Sequence, residues 1–159
     1  MRYIKLKTGH KVLVDNEDYN TLKKYNWFYG SKGYAIKNKT KDSDTRLMHR
    51  FILGLHKNDP IVDHINGNPL DNRKKNLRLC TQKQNTKNGS RHKDGSSNYK
   101  GVHYHKLTGK WRAQICIDYK RKSLGLFNSQ IDAAKEYNKA ATKYHCKFAK
   151  LNNVNRKVG

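Results

Sequence analysis

Acidic residues are scarce in this chain: 12 Asp and Glu stand against 35 Lys and Arg in 159 residues, a formal charge of +23. That imbalance sets it apart from most cytosolic enzymes of small molecules. Cysteine is scarce too, and Cys80, Cys116 and Cys146 are widely separated, which excludes a disulfide framework and a Cys-x-x-Cys zinc site. No run of about 18 apolar residues exists, and Met1-Arg2-Tyr3-Ile4-Lys5 lacks the apolar stretch of a signal peptide. No long segment joins a Lys-rich face to a continuous apolar one. A soluble chain with no membrane partner is therefore expected, acting in the cytoplasm. Hydrophobic residues make up 35% and mean hydropathy is −1.07, so no large core is available and each part should be marginal alone.

The basic excess runs through the whole chain and is heaviest at its C-terminal end. Such a charge repels itself in the folded state and fits a polyanion that neutralises it, with nucleic acid as the default partner. A merely solvated Lys-rich surface is the plainer alternative. Ten Tyr, four Phe and two Trp are enough to seed small cores, which argues against a disordered tail.

Residues 3–14 alternate with period two around Thr8-Gly9 and predict a β-hairpin. Asp15 is placed to cap a short helix, with Asp18 at the capping-box position. A second hairpin is expected over 26–37 with its turn at 30–33, and a helix over 47–55 interrupted near Gly54. Residues 86–98 contain no apolar side chain and predict a linker, along which Lys87, Arg91 and Lys93 could follow a phosphate backbone. Beyond it, Trp111, Ala113, Ile115 and Ile117 alternate with Arg112, Gln114 and Cys116, as in a strand with one buried face. Flanking strands are expected over 100–104 and 122–127. A helix capped by Ser129 should follow, with Ala133, Ala134, Tyr137, Ala140, Ala141 and Tyr144 on one face and Asp132 at its capping-box position.

The most informative stretch runs from Ile61 to Asn85. It predicts a strand ending at His64, a loop rich in Asn and Gly, a strand over 77–81, and a helix carrying Asn85. Such a hairpin plus helix can bring Asp63, His64 and Asn85 together. A carboxylate and a carboxamide are hard oxygen ligands suited to Mg²⁺ or Mn²⁺. An adjacent histidine can take a proton from water near neutral pH. Asn66, Asn68 and Asn72 are expected to bond their own backbone, as turn asparagines do. His49 and His56 are expected to be packing or surface residues.

Asp63-His64, then Asn76 and Asn85, with Asn66-Gly67-Asn68, Asn72-Arg73 and Asn76-Leu77-Arg78 between and around them, resemble the motif of HNH homing endonucleases carried by phages and mobile introns. Asn85 stands where the motif's last letter is histidine. The resemblance implies a ββα-metal finger, with His64 as general base, Asp63 and Asn85 as metal ligands, and Asn76 bridging the loop and orienting His64. It also implies products with 5′-phosphate and 3′-hydroxyl ends. Arg73, Lys74, Lys75 and Arg78 are placed to hold the DNA backbone without reading sequence.

Tyr99-Lys100-Gly101-Val102, Gly109-Lys110-Trp111, Leu124-Gly125-Leu126-Phe127, Ala133-Ala134, Tyr137, Ala140-Ala141 and Leu151-Asn152 resemble an AP2 domain, whose three-stranded sheet lies in the DNA major groove. By position, its contacts would fall at Lys100, His103, His105, Gln114, Cys116, Arg121 and Ser123. Strand parity adds Arg112. The first 45 residues are only weakly similar to the leaders of phage HNH proteins.

The expected architecture is α+β: a β-rich N-terminal part with the ββα-metal module over 1–85, a basic linker over 86–98, and an AP2-like three-stranded antiparallel sheet packed on one helix over 99–159. The expected function is metal-dependent cleavage of double-stranded DNA by a monomer with no obligate protein partner. A non-catalytic DNA-binding regulator with a vestigial HNH scaffold is the alternative. RNA is a third possible partner for a basic, Tyr-rich chain, but it gives no reason for Asp63 beside His64.

Overall fold

A computed structural model describes residues 1–38, 46–89 and 95–155. The chain divides into two compact units, Met1–Gln82 and Lys83–Gly159. This division lies ahead of the linker expected from composition, because the helix that carries Asn85 continues through Asn88. Residues 90–94 of that linker, with Arg91 and Lys93, lie outside the described residues.

In the first unit, strands β1 (Arg2–Lys5) and β2 (Lys11–Val14) form the expected antiparallel hairpin, with Tyr3 opposite Leu13 and Ile4 opposite Val12. Alternation sends Ile4, Leu6, Val12 and Val14 into the core, where each is at most 7% exposed. Helix α1 (Asn16–Leu22) follows. Its terminal carbonyl, that of Leu22, accepts from the Trp27 indole N–H at 2.8 Å, which satisfies the polar edge of a side chain otherwise surrounded by apolar groups. Asp15 stands at the N-cap position but its side chain does not cap the helix. Its carboxylate accepts instead from the Lys74 backbone N–H at 2.8 Å. Strands β3 (Phe28–Tyr29) and β4 (Ala35–Ile36) form the second hairpin, closed by the Gly33 N–H on the Gly30 carbonyl. Helix α2 (Met48–Ile52) is shorter than its apolar pattern and gives way to Gly54 in the left-handed region. Leu6, Val14, Leu22, Trp27 and Met48 fill one core, each aliphatic member contributing about 1.5–3 kcal/mol through burial.

The last elements of this unit are β5 (Ile61–His64) and β6 (Leu77–Cys80), antiparallel with Asp63 opposite Arg78 and His64 opposite Leu77. A 3₁₀ turn, Lys74–Asn76, leads into β6. The loop between these strands docks on the hairpin. Leu13 donates its N–H to the Leu70 carbonyl and accepts from the Asn72 N–H, both at 2.8 Å.

The second unit holds most of α3 (Gln82–Asn88), a sheet in the order β7–β8–β9, and α4 (Gln130–His145). Its strands are Val102–His105, Lys110–Ile117 and Lys120–Phe127, all antiparallel. The small side chains Ala133, Ala134 and Ala141 are fully buried and let α4 lie close on the face formed by Val102, Ala113 and Ile115. Ser129 caps α4 as expected, its hydroxyl accepting from the Ile131 N–H at 3.1 Å. Asp132 pairs instead with Lys135.

Strand β7 starts two residues later than its sequence pattern. Lys100 has both backbone polar groups bound by the Asn152 carboxamide, at 2.7 and 3.0 Å, and so has no strand partner to seek. Asn152 is in turn held to Asn138 of α4, at 2.7 and 2.9 Å. Gly101 follows at φ +73°. A Cβ there would stand 2.2 Å from the Tyr137 ring and 2.6 Å from the Gln114 carbonyl, neither of which can retreat without unpacking α4 or the sheet. Gly101→Ala should therefore lower the stability of this unit by about 3 kcal/mol or more. Urea denaturation measures it, and an unchanged midpoint would contradict this packing.

Candidate active site

Asp63 and His64 end strand β5 and are both buried, at 6% and 5% exposure. Their partners differ. Asp63 faces Arg78 across the hairpin, and one carboxylate oxygen accepts from the guanidinium Nε at 2.8 Å and Nη2 at 2.6 Å. His64 lies among aromatic rings, with His49 edge-on at 5.1 Å and Tyr34 tilted at 5.8 Å. Its Nε2 is 3.2 Å from the Asn72 carbonyl oxygen Oδ1.

Carboxamides organise the loop from 65 to 76. The Asn76 side chain accepts from the Asn66 backbone N–H at 3.0 Å, and donates to the Asn66 side chain at 3.1 Å and to the Asp71 carbonyl at 2.8 Å. Asn66 also donates to the Asp71 carboxylate at 2.9 Å. Asn66 and Asn68 accept from backbone N–H groups two residues ahead, as expected of turn asparagines. Asn72 also bonds its own loop backbone, donating to the Pro69 carbonyl at 3.3 Å. It is fully buried and reaches His64, whereas Asn76 braces the loop from within. The sequence carried one signal for this: Asn72 lies within the Asn-rich motif, and its difference from Asn66 and Asn68 is one of burial alone.

Three of the four cations expected to hold DNA here are engaged by carboxylates. Arg73 binds Asp71 through two bonds of 2.7 and 2.6 Å, and Arg78 binds Asp63. Lys74 reaches Glu17 at 2.6 Å and Asp18 at 3.3 Å. Counting charge along the chain cannot reveal the Lys74 pairs, because the acids of α1 are far away in sequence. Lys75 is exposed. The Arg73 hydrogen bonds hold the Asp71 carboxyl below the usual carboxylate range.

Asn85 lies on α3, half-buried, in the second unit. That unit also carries every residue expected to read DNA. The register aligns His103 with Arg112, Gln114 with Ser123, Cys116 with Arg121, and His105 with Lys110. His103, His105, Arg112, Gln114, Cys116, Arg121 and Ser123 thus share the sheet face turned away from α4. A bulge at Leu124 keeps this parity while turning Leu124 into the core. Gln114 and His103 are bonded to each other at 2.9 Å. With Lys83 and Lys87 of α3 they border a cavity of about 520 Å³. Lys100 differs from the rest. Its ammonium binds the Lys87 and Gly89 carbonyls at the end of α3, at 2.6 and 2.5 Å, and burial pulls its pKa down to about 8.

Burial also lowers the pKa of His64, against the opposing pull of Asn72 and Asp63. His49 is lowered further, to about 3, by burial and by the neighbouring His64 and Arg50. Both rings are therefore neutral near pH 7. An unfolded chain protonates them around pH 6.5 and the folded chain resists, so stability falls as pH drops below that value. For His49 the loss continues toward its folded pKa, at up to about 1.4 kcal/mol per pH unit. Denaturation between pH 7 and pH 5 should show this decline, and His49→Phe should make it shallower. An unaltered slope in that variant would mean that His49 is charged in the folded chain.

A family model described as HNH endonuclease matches residues 46–87, which include Asp63, His64, Asn76 and Asn85. An uncharacterized HNH endonuclease of Acanthamoeba polyphaga mimivirus is 31% identical over 152 residues, covering 92% of this chain and 76% of that protein. Protein 3.8 of Escherichia phage T7 is 37% identical over 60 residues, covering 38% of this chain and half of that protein. No solved structure gives a significant match. A buried Asp-His pair closing a β-hairpin, with a matching family model over it and a relative alike along nearly the whole chain, leads to one assignment: the chain belongs to the HNH endonuclease family and is a nuclease.

Proposed function

We propose that this nuclease hydrolyses phosphodiester bonds of double-stranded DNA with Mg²⁺ or Mn²⁺, as a homing-type enzyme of a phage or mobile element. In this reading the sheet face of the second unit, AP2-like in its sequence pattern, positions the DNA. The single observation that carries the catalytic part is the buried His64 beside Asp63 within a carboxamide-braced loop. The viral relatives support the mobile-element setting.

Asp63 and Asn85 would hold the metal. Among the described residues no three His, Cys, Asp or Glu side chains gather as a metal cluster. A carboxylate plus a carboxamide suits a hard cation that keeps several waters or phosphate oxygens as ligands. When bound, the metal stabilises charge developing at the scissile phosphate. His64 takes the proton of the attacking water, and its depressed pKa keeps it ready to do so near neutral pH. Asn76 holds the loop that sets the height of His64. Lys75, and Arg73, Lys74 and Arg78 beyond their carboxylate partners, add positive potential for the phosphate backbone. Arg78 also balances the Asp63 charge. On the sheet, Gln114 and Arg112 are suited to adenine and guanine edges. His103, His105, Cys116, Arg121, Ser123 and Lys100 complete that surface in this reading, with a nuclease part ending near Asn85 and a DNA-binding part over 99–159. No helix among the described residues is long and apolar enough to cross a membrane, and action in the host cytoplasm as a monomer completes the proposal.

His64→Ala should lower the rate of plasmid cleavage by a factor on the order of 10² or more while DNA affinity is kept, and chelation should stop cleavage by the parent. Parent-like cleavage by His64→Ala would remove His64 from the role of base. Replacing Arg112 and Gln114 together by Ala should cost about 1–3 kcal/mol per lost base contact and relax sequence preference. A binding and cleavage screen over a randomised DNA library reads both. Preference unchanged in the double variant would place specificity elsewhere in the chain.

A further inference from the structure

The contact between Asn72 and His64 links the Asp63–His64 strand to the first 15 residues of the chain. Asn72 is fully buried, and its Oδ1 lies 3.2 Å from His64 Nε2. Its Nδ2 donates to the Pro69 carbonyl at 3.3 Å. That second bond settles which way the amide points, because Pro69 offers an acceptor only. The oxygen therefore faces the histidine, and a carboxamide oxygen can only accept. In a neutral imidazole the nitrogen that donates to Asn72 must carry the hydrogen, which leaves the lone pair on Nδ1.

Asn72 is itself held by the N-terminal hairpin. Its backbone N–H donates to the Leu13 carbonyl, while the Leu13 N–H donates to the Leu70 carbonyl, both at 2.8 Å. Leu13 is paired on its other side with Tyr3. The chain at 70–72 is thus fixed as an added edge of the hairpin sheet. The Asp15 carboxylate secures the same loop two residues on, at the Lys74 N–H.

We propose that Asn72 is a positioning residue that holds the His64 ring with its hydrogen on Nε2 and its lone pair on Nδ1, and that the β1–β2 hairpin serves catalysis by fixing Asn72. This rests on the reading of His64 as the base. The nitrogen that takes the proton from water is then Nδ1, and the hydrogen on Nε2 remains in its bond to Asn72 throughout the step. Truncating Asn72 leaves the ring able to rotate and exchange its hydrogen between the two nitrogens, which lowers the fraction of enzyme ready to react without removing any group that touches DNA.

The experiment pairs nitrogen-15 NMR of the histidine side chains with single-turnover plasmid cleavage in Mg²⁺ and with DNA affinity measured in chelator. In the parent at pH 7.5 the His64 signals, assigned by their loss in His64→Ala, should show hydrogen on Nε2. Hydrogen on Nδ1 would overturn the proposal, and this arm requires no stable Asn72 variant. Asn72→Ala should cleave on the order of ten times more slowly at saturating enzyme, with DNA affinity within about twofold of the parent. Asn72→Asp, which keeps an acceptor oxygen facing Nε2, should recover most of the rate. Parent-like cleavage by Asn72→Ala, when His64→Ala is inactive, would overturn this inference and leave the base in place. Parent-like cleavage by His64→Ala would overturn the assignment of the base and this inference with it.

Discussion

The loop between β5 and β6 is held together by hydrogen bonds among its polar side chains. Asn66, Asp71, Asn72 and Asn76 bond one another, the loop backbone and His64. Buried polar groups are costly when unpaired and rigid when fully paired, so a network of this kind tolerates very few geometries. The hairpin that carries Asp63 and His64 depends on it, and it depends on the first hairpin, whose Leu13 backbone completes it. The order of dependence runs from β1–β2 to the loop and from the loop to His64.

The scarcity of acids takes on meaning against this network. Of the chain's 12 acidic residues, Asp15, Glu17, Asp18, Asp63 and Asp71 all bind backbone or cations between positions 73 and 78. A chain with so large a positive charge concentrates its negative charges where a cationic loop has to be folded tightly. The sheet face of the second unit receives few of them. Asp118 at its edge is paired with Lys83, and Arg112, Arg121 and Lys110 remain a positive field.

Much of this was legible in the sequence because it is local. The β1–β2 hairpin follows from period-two alternation around a Gly turn, and α4 from its Ala face and Ser129 cap. The Asp63, His64, Asn76 and Asn85 spacing carried the family. What escaped sequence reasoning has specific physical causes. The tip of the β8–β9 hairpin is Asp118-Tyr119, both in the left-handed region at φ 49° and 65°, where Asn-Gly or Asp-Gly is the usual signal. A tyrosine there hides the turn, so β9 begins at Lys120, two residues ahead of its pattern. The Lys100 ammonium binds the carbonyls of Lys87 and Gly89 at the end of α3, 11 to 13 residues away, a contact that its position in the sequence does not show. Asn72 looks like its neighbours in sequence, and only burial distinguishes it.

The Asn152 clasp bears on the order in which the protein matures during synthesis. All elements of the first unit have left the ribosome once residue 82 is free, whereas Lys100 at the entry to β7 stays without its backbone partner until Asn152 follows. At about 5–20 residues per second the 70 residues from Lys83 to Asn152 take roughly 4–14 s to appear. During that interval the unit carrying Asp63 and His64 exists on the nascent chain ahead of a closed β7–β9 sheet. The first unit is thus complete in sequence while β7 still awaits the residue that closes its entry.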